Sequence, residues 1–113
     1  MTTIKSFTDL EQSKKLAEIL PLESADMYWW YSGKRYYIEA IDDGDFNEKG
    51  DIRAWSLAAL LSVLPRIEGF KPVLDLEINY VQYPSNIELS ATADNPVDAC
   101  YEMILKLHEL KRL

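Results

Sequence analysis

The chain has 113 residues, 48% of them hydrophobic and 27% charged, which suits one globular domain over 1–113 and argues against disorder. Twelve basic against nineteen acidic side chains give a formal charge of −7, an average field that repels a phosphate backbone and disfavours nucleic acid as a partner. A single cysteine, Cys100, excludes an internal disulfide and a multi-cysteine zinc site, and no apolar run approaches the roughly 20 residues needed to span a bilayer.

Residues 1–9 carry neither a basic start nor an apolar run, so a cytoplasmic location is expected. Residues 7–20 predict a helix. Thr8 can cap it, and Glu11 stands three residues on, as in a capping box. Leu10, Leu16, Ala17, Ile19 and Leu20 form its dry face, Glu11, Lys14, Lys15 and Glu18 its wet one, and Pro21 stops it.

Residues 27–31 and 35–41 predict two strands joined by a tight turn at Ser32-Gly33-Lys34. Tyr36, Ile38 and Ala40 share one face of the second strand, and Tyr37, Glu39 and Ile41 the other. A polar loop, 42–51, follows. Asp43, Asp45 and Asn47 alternate as at the start of a calcium-binding EF-hand loop, but Glu48 stands where the turn glycine belongs and Ala54 where the bidentate glutamate belongs. A solvated acidic loop is the better reading, and no metal or other cofactor is expected.

Residues 55–64 predict a second helix, capped by Ser56 and stopped by Pro65, with Trp55 and Leu60 at the spacing of a hydrophobic staple. Residues 73–81 then read as one long strand, with Leu74, Leu76, Ile78 and Tyr80 dry. Residues 87–92 read as its partner, with Ile87, Leu89 and Ala91 dry, and 83–86 join the two.

The last helix is the most legible element. Asn95 caps it, Pro96 fits its first position, and Asp98 suits the positive end of its dipole. Asp98, Glu102, Lys106 and Glu109 form one narrow polar stripe, so the rest of the circumference should be buried. The expected fold is α+β: three helices packed on an antiparallel sheet made of two β-hairpins, in the order α-ββ-α-ββ-α.

Little in the chain points to catalysis. Cys100 lies on the apolar face of the last helix, as an inert thiol would. His108, the only histidine, reads as a partly buried packing residue or a cation near the helix end. None of the four glycines sits in a phosphate-binding pattern. No catalytic residue is assigned. The richest surface candidate is the aromatic run around the first hairpin, from which Trp29, Tyr31, Arg35 and Tyr37 are selected as a binding patch. A strand cannot bury both of its faces unaided. The second face is therefore covered by helices or a neighbouring subunit, or it is an interaction hot spot; stacking of single-stranded nucleic acid is a third reading, disfavoured by the charge.

Three blocks carry a resemblance: EQSKKLAEILPLESADM at 11–27, WSLAALL with the Leu64-Pro65 pair, and ADNPVDACYEMILKLHEL at 93–110. They resemble a family of small uncharacterised proteins of gut Bacteroidales, often encoded in prophage-like or mobile-element regions. The resemblance implies a bacterial or phage cytoplasmic protein and no particular activity. The expected function is a non-enzymatic protein-interaction or accessory module of a phage or mobile element, with an unidentified protein partner or a homodimer. The alternatives are an acidic inhibitor or decoy of a host nucleic-acid enzyme, contacting it through Asp75, Glu77 and Glu88, and, last, a small carboxylate-based enzyme.

Overall fold

A computed structural model describes residues 5–42 and 51–113. Three α-helices are present among them, α1 (Leu10–Ala17), α2 (Leu57–Val63) and α3 (Pro96–Glu109), with a short 3-10 turn at Leu22–Ser24. Six strands complete the α+β fold: β1 (Met27–Tyr31), β2 (Tyr36–Ala40), β3 (Ile52–Ala54), β4 (Val73–Asp75), β5 (Tyr80–Tyr83) and β6 (Asn86–Thr92). They form two three-stranded antiparallel sheets, β2-β1-β3 and β4-β5-β6, where one sheet of two hairpins was expected.

Two local features cause the difference. The short strand β3 takes the inner edge of the first hairpin, pairing Met27 with Ala54 and Trp29 with Ile52, so the second hairpin cannot join there. The expected strand 73–81 also breaks. The Asp75 carboxylate accepts the Glu77 backbone N–H at 3.0 Å, and Asn79 adopts a φ of 50°, so the chain folds back and β4 pairs with β5. Leu76 and Ile78, expected dry, are exposed in this turn, and Ile87 is exposed near the start of β6. Leu89 is buried as expected.

The helix starts follow from capping chemistry. Asn95 Oδ1 accepts the Asp98 N–H at 2.8 Å, and Ser56 Oγ accepts that of Ala59 at 3.2 Å. Helix α1 starts one residue later than expected. Its cap is Asp9, in a capping box with Gln12. Thr8 is instead fully buried, where its hydroxyl accepts the Trp55 N–H at 3.1 Å and lies 2.8 Å from Ser13 Oγ.

One core cluster joins α1, α2, α3, β5 and β6, with Leu16, Leu60, Val81, Tyr83, Met103, Ile104 and Leu107 fully buried in it. Helix α3 packs against α2, β5 and β6 at its centre. Its wet arc is wider than the polar stripe alone, since His108 and Leu110 are exposed and Tyr101 and Leu105 only partly buried. The helix closes in a Schellman motif: Arg112 N–H donates to Leu107 O at 2.8 Å and Lys111 N–H to His108 O at 3.0 Å, with Lys111 at a φ of 58°. Among the described residues, none from β1 or β2 belongs to this cluster.

Candidate functional site

The hairpin β1–β2 contributes no residue to the main core cluster, although Tyr28 is buried, and its geometry follows closely from its sequence. At the turn Ser32-Gly33-Lys34-Arg35, Gly33 has a φ of 98° and Lys34 does not have a positive φ, as a II′ hairpin turn requires. Ser32 N–H donates to Arg35 O at 3.0 Å and closes it. The register then pairs Tyr31 with Tyr36, Trp30 with Tyr37, Trp29 with Ile38 and Tyr28 with Glu39.

That register divides the four selected residues between two faces. Trp29 and Tyr31 share one face with Tyr36 and Ile38; Tyr37 shares the other with Tyr28, Trp30 and Glu39. Arg35 lies with the second set, its guanidinium carbon 4.6 Å from the centre of the Tyr37 ring.

Trp29 is an anchor for the hairpin. Its Nε1 donates to Thr8 O at 3.1 Å, and its ring meets Phe7 edge-on at 5.7 Å. The accessible aromatics are Tyr31 at 54% exposure and Tyr36 and Tyr37 at 37% each. Tyr31 and Tyr36 rings lie 5.0 Å apart, and Tyr37 stacks on Trp30 at 5.0 Å. Tyr36 was absent from the four selected residues, although alternation along the strand with Ile38 already marked its face. On the second face Tyr28 is buried and its hydroxyl donates to Glu39 Oε2 at 2.9 Å. Among the described residues Trp30 Nε1 is buried without a hydrogen-bond partner.

The outer strand of this sheet is β2, and among the described residues no strand pairs with its far side. The comparable edge of β6 is protected differently: Lys106 reaches from α3 and donates to Ser90 O at 2.7 Å, putting a charge on the open backbone.

A second feature is a groove of about 860 Å³ between α1, the β5–β6 strands and α3, lined in part by Lys15, Tyr80, Asp94, Glu102, Lys106 and His108. Asp98 lies at its wall and is fully engaged. It accepts from Lys5 at 2.7 Å, from Gln12 Nε2 at 2.8 Å and from Asn95 Nδ2 at 2.8 Å. Burial alone would raise its carboxyl, but these hydrogen bonds and the Lys5 charge outweigh burial and hold it below the usual range. The ammonium of Lys5, despite its own burial, is correspondingly raised by Asp98 and Asp9. Burial pushes the Cys100 thiol up to about 11, which keeps it protonated and inert near neutrality.

Among the described residues no group of three or more His, Cys, Asp or Glu side chains could hold a metal ion. The acidic run compared with an EF-hand falls, apart from its ends, on 43–50, outside the described residues. Among the described residues no helix is long and apolar enough to cross a membrane. Compared with known proteins, the chain matches no family model, no curated protein and no solved structure.

Proposed function

We propose that this chain is a non-enzymatic protein-interaction module that docks through its β1–β2 hairpin. One observation carries the reading: Tyr31 and Tyr36 on one face, and Tyr37 and Arg35 on the other, are exposed on a hairpin that contributes no residue to the main core cluster and whose outer edge no described strand covers. Tyrosine and arginine dominate protein-interface hot spots because each combines a large contact area with polar anchoring. An open edge strand adds a row of backbone donors and acceptors for an incoming strand. The resemblance to mobile-element proteins supports a role as a phage or mobile-element accessory acting in the cytoplasm.

Changing Tyr31, Tyr36 and Tyr37 together to serine tests the reading. These side chains lie outside the core, so the circular-dichroism spectrum should be kept while partner capture or self-association is lost. An unchanged capture profile and solution mass in the variant would overturn it. The decoy reading has weaker support, because Asp75 and Glu88 belong to β4 and β6, opposite edge strands separated by β5. The groove gives an enzyme equally little support, since the carboxylate with three side-chain partners, Asp98, is held ionised.

A further inference from the structure

We propose that the open edge of β2 pairs with β2 of a second copy of this chain, antiparallel, about a two-fold axis through Tyr37. This rests on the hairpin being the interaction surface and names its occupant. The backbone gives the first reason. Ser32 N–H donates to Arg35 O, and Ile41 N–H donates to Asp26 O at 3.0 Å, so Arg35 and Ile41 turn their polar groups toward β1. In an antiparallel ladder this recurs at every second residue, so Tyr37 and Glu39 do the same. Tyr36, Ile38 and Ala40 therefore direct their N–H and C=O groups outward, where no described strand receives them.

The side chains give the second reason. A two-fold axis at Tyr37 sets Tyr36 opposite Ile38 of the second copy, joined through those outward backbone groups. It sets Arg35 opposite Glu39 of the second copy, and the symmetry repeats the pair on the other side. Tyr37 meets its own copy at the centre. Because Arg35, Tyr37 and Glu39 bond inward, their cross-seam pairs are of the non-hydrogen-bonded kind, whose side chains approach closest. Trp30 already stacks on Tyr37, so the seam extends that aromatic row across the axis. Shifting the axis by one residue to Ile38 would set Arg35 opposite Ile41 and Tyr37 opposite Glu39, and both charge pairs would be lost. A charge of −7 on each copy opposes association, so the matched arginine and glutamate select this register.

Sedimentation equilibrium of the full chain should give a concentration-dependent mass rising to twice 13.1 kDa. Arg35→Glu should weaken the dimer by roughly tenfold by placing two like-charge pairs in the seam, and adding Glu39→Arg should restore it. Under mild oxidation Tyr37→Cys should cross-link two copies, because a residue facing itself in a non-hydrogen-bonded pair suits disulfide geometry. Tyr36→Cys faces Ile38 and should not cross-link, and the buried Cys100 stays out of reach. A monomeric mass at every concentration, or a dimer indifferent to Arg35→Glu and not cross-linked by Tyr37→Cys, would overturn the seam. Partner capture lost in the triple tyrosine variant of a monomeric chain would leave the hairpin as a docking surface for another protein, so the two ideas fail separately.

Discussion

Gln12 Nε2 donates to Asp98 Oδ1 at 2.8 Å across 86 positions of sequence, while Gln12 Oε1 accepts the Asp9 backbone N–H at 3.1 Å. One amide thus closes the start of α1 and ties it to the start of α3. Lys5, which reaches both Asp98 and Asp9, adds the charge. Asp98→Asn should cost about 1–2 kcal/mol near neutral pH, because it weakens charge-assisted bonds in a partly buried site.

The same pair gives a pH dependence of known sign. Asp98 titrates lower in the folded chain than its ordinary value of 3.8. Its contribution is therefore complete above that value and fades as pH falls through the lower, folded one. Urea unfolding of the parent and Asp98→Asn should differ near neutrality and converge in strong acid. A gap that stayed constant into acid would contradict the ionised state of Asp98. Lys5 titrates above 10.5 in the folded chain, so its contribution is full below that value and is lost as pH rises past the folded one.

Thr8 is where a polar side chain serves the interior. Thr8→Val leaves the Trp55 N–H without its hydroxyl acceptor in a buried site and leaves the Ser13 hydroxyl only its longer bond to Thr8 O at 3.5 Å, and should destabilise by about 1–3 kcal/mol. Thr8→Ser keeps the hydroxyl and removes one methyl group, so it should cost only about 1 kcal/mol or less. Thermal unfolding of the two variants side by side distinguishes the hydroxyl from the packing.

The two adjacent indoles should respond differently to phenylalanine. Trp29→Phe removes the donor to Thr8 O, whereas Trp30→Phe removes an N–H that is already without a partner among the described residues. The difference between the two, measured by urea unfolding, should be about 1 kcal/mol against Trp29→Phe. Equal costs would mean that the Trp29 hydrogen bond adds nothing to stability.

One turn offers a gain. Ile67 and Phe70 exchange both backbone hydrogen bonds around Glu68 and Gly69, which both have positive φ. Glycine accepts that conformation freely and asparagine tolerates it, but glutamate is strained there. Glu68→Asn should therefore raise stability by about 0.5 kcal/mol, read as an upward shift in thermal midpoint.

What the sequence made legible were elements whose cause is local. The Asn95 and Ser56 caps and the Gly33 turn depend on neighbours within four residues, and each stands where its residue type demands it. Most errors came where distant residues decide. Thr8 looked like a cap, but burial against Trp55 recruited its hydroxyl and moved the cap to Asp9. One error had a local cause that alternation hides: residues 73–81 alternate like a strand throughout, yet the Asp75 carboxylate captured the N–H of Glu77 two residues on and turned the chain. Ile52–Ala54 is too short to register as a periodic run, and its pairing with β1 separated the sheets. The aromatic hairpin was legible as a place, but which rings share a face depended on the register of β1 against β2.

Because β1 and β2 lie outside the core cluster, their backbone protection rests on the sheet itself and on the Trp29 anchor. The three-residue strand β3 pairs with only part of β1, from Met27 to Trp29, and β2 is bonded on one side alone among the described residues, so the outer ribbon has little support beyond itself. The hairpin should then form its own opening unit: its amides should exchange with solvent faster than those of α3, through an event that leaves the helices closed. Amides of Trp30 and Tyr37 exchanging as slowly as those of Met103 and Ile104 would tie the ribbon to global unfolding instead. A ribbon that opens alone is also free to change its surface residues without disturbing the packing beneath, which makes it the segment where recognition can diverge at least cost to folding.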